Sequence, residues 1–278
     1  MVDPAYSDQD PALAVALAKA DRAVEHFNTL KARIGAFLDE KPYRLAIELE
    51  AHTGWHVAQM WVVKEPPPAL CVIVGEIAYQ QISALNLLTF ELAQRHLRRE
   101  PTKKEARLIQ FPIALSAADF RGWQVLKFVS AHTAAVFEEL QPYRGFHGPK
   151  GPGQHVLPLL KEITDSDKHQ DLVASFAYVS FEGIAFEWDT DAASDPLFEQ
   201  LVSQDDSLEE GTPIARIRFK VGNDQAKVRV DRELAADVRF LTRNWAIDLG
   251  DLENSIGWMS DALRDLSGAL AMAKLNPA

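Results

Sequence analysis

The chain has 278 residues, 47% of them hydrophobic and 25% charged, and carries a net charge of −11 with a sequence pI near 5.2. This is ordinary globular composition, long enough for one large core or two smaller ones, and its acidity disfavours broad, non-specific binding to nucleic acid or anionic lipid. The single cysteine, Cys71, excludes an internal disulfide and a cysteine-cluster metal site; beside Leu70, Val72 and Ile73 it reads as a buried structural thiol.

The N-terminus, MVDPAYSDQD, is acidic and polar, so no signal peptide is expected. Residues 1–9 read as a frayed tail. From about Asp10 to Leu38 the spacing is helical, with Leu17, Ala20, Val24, Phe27, Ile34 and Phe37 on one face and Pro42 closing the helix. Tyr43 to Leu49 and Trp55 to Val63 alternate around His52-Thr53-Gly54, which predicts a β-hairpin. Pro66-Pro67-Pro68 then opens a long apolar helix, Pro68 to Glu100, with Leu70, Val74, Ile77, Leu85, Leu88 and Leu92 inward. No apolar run reaches about 18 residues free of polar side chains. No membrane partner is therefore expected, and a cytoplasmic address follows.

Past a loop at Ile109-Gln110-Phe111-Pro112, Ser116 is a plausible helix cap, and helix resumes to about Leu140. Residues 145–153 are too rich in glycine and proline to be regular. His155 to Ile163 reads as a short helix. The period then changes to two: Val173 to Phe181 and Ile184 to Trp188 read as strand, and Leu197 to Val202 as a pair of helical turns. Ile214 to Val221 and Ala226 to Val230 bracket Gly222-Asn223-Asp224 as a second hairpin. In the last helix, from about Leu249, the residues Leu249, Leu252, Ile256, Met259, Leu263, Leu266 and Leu270 form a heptad seam. Such a seam packs on another helix of the same chain or on a second copy. Intermixed helices and hairpins favour α+β over α/β. The expected organisation is a single domain, 1–278: a helical core at about 10–170 including the hairpin at 43–63, a β-rich part at about 171–232, and a C-terminal helix at about 249–275.

Several short motifs occur in a fixed order: Lys41-Pro42-Tyr43-Arg44, Val62 to Pro68, Gly75-Glu76, Ser83-Ala84-Leu85, Phe111-Pro112-Ile113, Leu140-Gln141-Pro142-Tyr143 and Asp167-Lys168-His169. In order and spacing they resemble a largely uncharacterised bacterial family whose helix G-D-x-L-H-N-L-R-S-A-L-D-H and later D-K-H-R segment are similar to HEPN-like ribonucleases of toxins and phage-defence proteins. The resemblance covers roughly residues 15–175. It implies a HEPN-like core of long helices with an added antiparallel sheet. In the family's pattern an arginine stabilises phosphorane charge and a histidine moves the proton at the ribose hydroxyl or leaving oxygen. Here those positions hold Ile82 and Leu87, the acidic position between them is Asn86, and the preceding Asp and Asn positions are Glu76 and Gln80. The resemblance therefore carries the scaffold over and leaves the ribonuclease chemistry behind.

Three groups of residues could still bind or react. Glu76, Tyr79, Ser83 and Asn86, with Gln80 beside them, make a polar stripe on the apolar helix, either a buried packing device or the floor of a groove. Asp167, Lys168 and His169 stand at an element boundary as candidate catalytic residues or as a cap, with Tyr143 as a possible flank. Arg95, Arg98, Arg99, Lys103, Lys104 and Arg107 put six cations into thirteen residues, the one basic segment suited to RNA or phosphate, or an ordinary solvated helix end. His26, His52, His56, His132, His147 and His155 show no metal-ligand spacing, and no phosphate-loop, dinucleotide or nucleophile-elbow motif occurs, so no metal or cofactor is expected. The leading expectation is a non-catalytic HEPN-like protein, a homodimer, binding RNA or a protein partner in stress response or phage defence. The alternatives are a ribonuclease-like enzyme acting on a phosphate substrate through Asp167, Lys168 and His169, or a pure scaffold.

Overall fold

A computed structural model describes residues 10–145, 155–169, 172–180, 186–188, 197–200, 211–218, 228–230 and 235–275. The chain is α+β, mixed helix and sheet. The helices are α1 (Pro11–Asp39), α2 (Ala69–Leu97), α3 (Lys103–Ala106), α4 (Ala117–Gly122), α5 (Ala131–Glu139), α6 (Pro142–Gly145), α7 (Val156–His169) and α8 (Leu249–Leu275). The strands are β1 (Tyr43–Glu50), β2 (Trp55–Val62), β3 (Val173–Ser180), β4 (Phe186–Trp188), β5 (Leu197–Gln200), β6 (Thr212–Arg218), β7 (Val228–Val230), β8 (Ala235–Leu241) and β9 (Ala246–Ile247). Two compact units emerge: residues 1–30, 71–172 and 242–278, and residues 31–70 and 173–241.

The first unit is helical. Apolar residues at helical spacing are removed from water: Leu13, Ala16, Ala23, Phe27 and Leu30 on α1, and Val74, Ile77, Leu85, Leu88 and Leu92 on α2. Of the expected face of α1, Phe27, Ile34 and Phe37 are buried, and its first half departs. Leu17 and Ala20 are half-buried and Val24 is exposed, because alanines supply part of the inward stripe and leave no hydropathy signal to distinguish it. Among the described residues α2 is the one helix long and apolar enough to cross a membrane, and half of that stretch is buried inside the protein. Cys71 is half-buried rather than buried. On α8 the seam residues Leu252, Met259, Leu263, Leu266 and Leu270 are buried within the single chain. The heptad spacing is thus used for packing inside the molecule, each such side chain contributing roughly 1.5–3 kcal/mol by its burial. The helix α7 extends to His169, six residues past the expected end at Ile163.

The second unit is built on a four-stranded antiparallel sheet of order β1-β2-β6-β5. The expected first hairpin forms with Tyr43 opposite Val62 and Glu50 opposite Trp55. Gly54 turns it at φ 70°, and its amide donates to the Glu50 carbonyl at 2.9 Å. The turn of the expected second hairpin, Gly222-Asn223-Asp224, lies outside the described residues; of its arms, the described part of β6 pairs with β2 and β5, and β7 pairs with β4. Leu197–Gln200, expected as helical turns, is strand β5, because cross-strand pairing with β6 overrides local helical spacing. The β3 strand runs antiparallel to β8, from Val173 opposite Leu241 to Ser180 opposite Ala235.

Candidate functional site

The polar stripe of α2 lies toward solvent rather than inside the core. Glu76 and Tyr79 are exposed, Tyr79 by 57%, and Gln80, Ser83 and Asn86 are half-buried. Glu76 Oε2 approaches His26 Nδ1 at 3.3 Å, tying α2 to α1. Farther along, Asn86 Oδ1 accepts from the Phe111 amide at 2.8 Å. The stripe thus fixes the loop carrying Phe111-Pro112-Ile113. Ile82 and Leu87, at the positions of the resemblance's catalytic pair, are half-buried hydrocarbons with no proton to exchange. Besides Thr89, the fully buried polar side chain of α2 is Gln81, which its apolar neighbours Ala78, Ala84 and Leu85 do not signal. Its Nε2 donates to Ser255 Oγ at 3.0 Å.

Gln141 of the Leu-Gln-Pro-Tyr turn is likewise structural. Only 2% exposed, its Oε1 accepts from the Ala114 amide at 2.9 Å. Its Nε2 donates to the carbonyls of Pro112 at 3.0 Å and Phe137 at 2.9 Å. One side chain therefore closes the loop from the side opposite Asn86. Tyr143, the next residue but one, donates its hydroxyl to Glu138 Oε1 at 3.0 Å. Burial, helped by the Glu138 carboxylate, pushes the Tyr143 phenol up to about 12, so it stays protonated at neutral pH.

Asp167 sits against Gly75. A methyl group placed on Gly75 would lie 2.5 Å from Asp167 Cγ, so the carboxyl packs directly on the α2 backbone at the one position without a side chain. Two motifs 92 residues apart in the chain are brought together here, Gly75-Glu76 and Asp167-Lys168-His169. Lys168 and His169 occupy the last turn of α7; their side chains lie outside the described residues.

The basic segment separates into paired and unpaired charges. Arg95 donates to Asp10 Oδ2 at 2.7 Å and to Glu91 Oε1 at 2.7 Å, and reaches the Leu270 carbonyl at 3.4 Å. The two carboxylates hold its pKa up against the opposing effect of burial. Arg99 makes a bidentate pair with Glu105, at 2.8 and 2.7 Å. With the Thr102 capping box, Arg99 holds the Glu105 carboxyl down at about 2. Arg98, Lys103 and Lys104 are exposed, and no carboxylate among the described residues pairs with them. Arg98 ends α2 at φ 53°, a left-handed conformation in which glycine would be the cheaper residue.

A cavity of about 560 Å³ lies at the start of α5, lined by Arg95, His96, His132, Leu92 and Met272 among others. A neighbouring one of about 590 Å³ shares His132 and Met272 and adds Arg264 and Asp265. Neither was anticipated: the walls of the first come from α2, α5 and α8 and those of the second from α5 and α8, far apart in sequence. Among the described residues no group of three or more His, Cys, Asp or Glu could hold a metal ion. No family model matches the chain, no curated protein matches it, and no solved structure matches it.

Proposed function

We propose that this chain is a non-catalytic RNA-binding protein built on a HEPN-like helical core. The observation that carries the reading is the end of α2. In a chain of net charge −11, Arg98, just past α2, and Lys103 and Lys104, at the start of α3, are exposed without carboxylate partners among the described residues. Two further features support a non-catalytic role. Ile82 and Leu87 can neither balance phosphorane charge nor transfer a proton. Tyr143, the possible flank of the rival enzyme reading, donates its hydroxyl to Glu138. Phosphates would meet a local cationic surface while the rest of the molecule repels them, so binding should be local and salt-dependent.

The test is fluorescence anisotropy with a labelled unstructured RNA, followed by electrophoresis of that RNA. Intact RNA and binding weakened on changing Arg98, Lys103 and Lys104 together to Glu support the reading. The slope of log affinity against log salt should fall in magnitude by about 2, at roughly 0.7 per phosphate contact on a single strand. RNA that never binds, or that rigorously purified protein cleaves, overturns it.

A further inference from the structure

Resting on the reading that the protein binds RNA, a second contact surface follows from the four-stranded sheet. We propose that the face of this sheet bearing Trp55 and Trp61 is a stacking surface for single-stranded RNA, with Arg44 and Arg218 as its phosphate contacts. The register places these groups together. Arg44 is opposite Trp61 and Glu50 opposite Trp55 across β1 and β2. Val57 is opposite Arg216 across β2 and β6, so Arg216 and Arg218 share the face of Val57 and Trp55. The alternate residues His56, Ala58, Met60, Ala215 and Ile217 form the other face and are buried. The sheet therefore has a core face and a second face on which Val57 is buried between two half-buried tryptophans while Arg44 and Arg218 are exposed.

On that face the cations rest on the indoles. The Arg44 guanidinium lies 5.3 Å from the Trp61 ring centroid, and that of Arg218 lies 4.9 Å from Trp55. Neither has a carboxylate partner among the described residues. Such a contact is weak at an exposed site, so each cation is held where it is readily exchanged. Arg216 is different: Glu50 lies 3.8 Å from it. Two donors on or beside this surface, Trp61 Nε1 and Arg216 Nε, are enclosed without acceptors. An enclosed, unsatisfied donor is destabilising, a cost that a base carbonyl or phosphate oxygen admitted by a shift of the arginine would offset.

The chemistry this offers is aromatic faces flanked by guanidinium groups, about 20 Å apart along β2 at roughly 3.4 Å per residue. Single-stranded bases stack on such faces whatever their sequence, whereas paired bases inside a duplex cannot. The acids on this face, Glu48 and Glu50, limit its net charge. Binding here is therefore governed by stacking, and its salt dependence is shallow, in contrast to the α2 end.

The test uses the full chain with oligouridine of twenty nucleotides and a duplex RNA of the same length. Oligouridine should quench tryptophan emission and bind in preference to the duplex. Trp55→Leu with Trp61→Leu should remove the quenching and weaken binding about tenfold or more, from 1–3 kcal/mol per stacked base. Arg44→Gln with Arg218→Gln keeps both indoles, changes only exposed groups and should also weaken binding, with unchanged far-ultraviolet circular dichroism. Oligouridine that binds without quenching, binds no better than duplex, or keeps its affinity in the arginine pair overturns the proposal. Should affinity respond only to the Arg98, Lys103 and Lys104 changes, the sheet site falls and RNA binding stands. Should no RNA bind at all, both fall.

Discussion

The helical unit and the sheet unit treat their polar side chains differently. In the helical unit several of the groups conspicuous in sequence are taken up by internal bonding: Asn86 and Gln141 clamp one loop, Arg95 joins Asp10 and Glu91, and Arg99 joins Glu105, while Arg98, Lys103 and Lys104 stay exposed and Gln81 Oε1 is enclosed without a donor. In the sheet unit Arg44 and Arg218 lie on indole rings, and Trp61 Nε1 and Arg216 Nε have no acceptor. The contrast teaches that density of charge in sequence is not availability. A crowded segment supplies its own counter-ions, as Glu91 and Glu105 do for Arg95 and Arg99, while isolated arginines spaced along strands do not.

The strongest way to break this comparison is Gln141→Leu. It strands the Pro112 and Phe137 carbonyls and the Ala114 amide in a buried site, and should cost about 3 kcal/mol at roughly 1–3 per unsatisfied group. Urea unfolding followed by circular dichroism reads it as a lowered midpoint. Trp61→Phe in the sheet, which deletes a donor that has no acceptor, should cost far less. Equal losses in the two variants would mean that the units do not differ in polar satisfaction.

An intermediate effect should appear in acid. His155 is buried against Trp258, its Nδ1 accepts from the Leu157 amide at 3.1 Å, and burial lowers its pKa from 6.5 to about 4. The fold thus favours neutral imidazole. Between pH 6.5 and about 4 the unfolded chain binds the proton and the folded one does not, so stability is complete above 6.5 and falls as pH drops through that window. The loss should be about 1–2 kcal/mol once solvent screening is allowed for. The variant His155→Phe should show a shallower slope. Burial lowers His56 in the sheet as well, so an unchanged slope in His155→Phe would assign the acid response elsewhere.

The smallest effect concerns the contact between Gly75 and Asp167. Alanine is a better helix former than glycine by about 1 kcal/mol, but its methyl group meets Asp167 Cγ at 2.5 Å. Gly75→Ala should therefore stabilise the chain by about 1 kcal/mol more in an Asp167→Ala background than in the wild-type sequence. Additive effects would mean that Asp167 moves away at no cost.

Much of the architecture was legible in the residues. Period-3.6 apolar spacing located α1, α2 and α8, and the alternation around His52-Thr53-Gly54 located the first hairpin, because both depend on near neighbours in the chain. Alanine-rich α1 blurred its own inward face, and Leu197–Gln200 carried a helical spacing that pairing with β6 overrode. The charges at the end of α2 could be counted from the sequence. Which of them are neutralised could not, since the partners of Arg95 include Asp10, 85 residues away. The likeness of order among the short motifs was visible, but not that Gly75 exists to receive Asp167 or that Gln141 bonds the Pro112 carbonyl. Local spacing determined the elements. Tertiary structure decided which polar groups are spent and which remain available, because a hydrogen bond or ion pair depends on ångström distances between residues that chain order does not bring together.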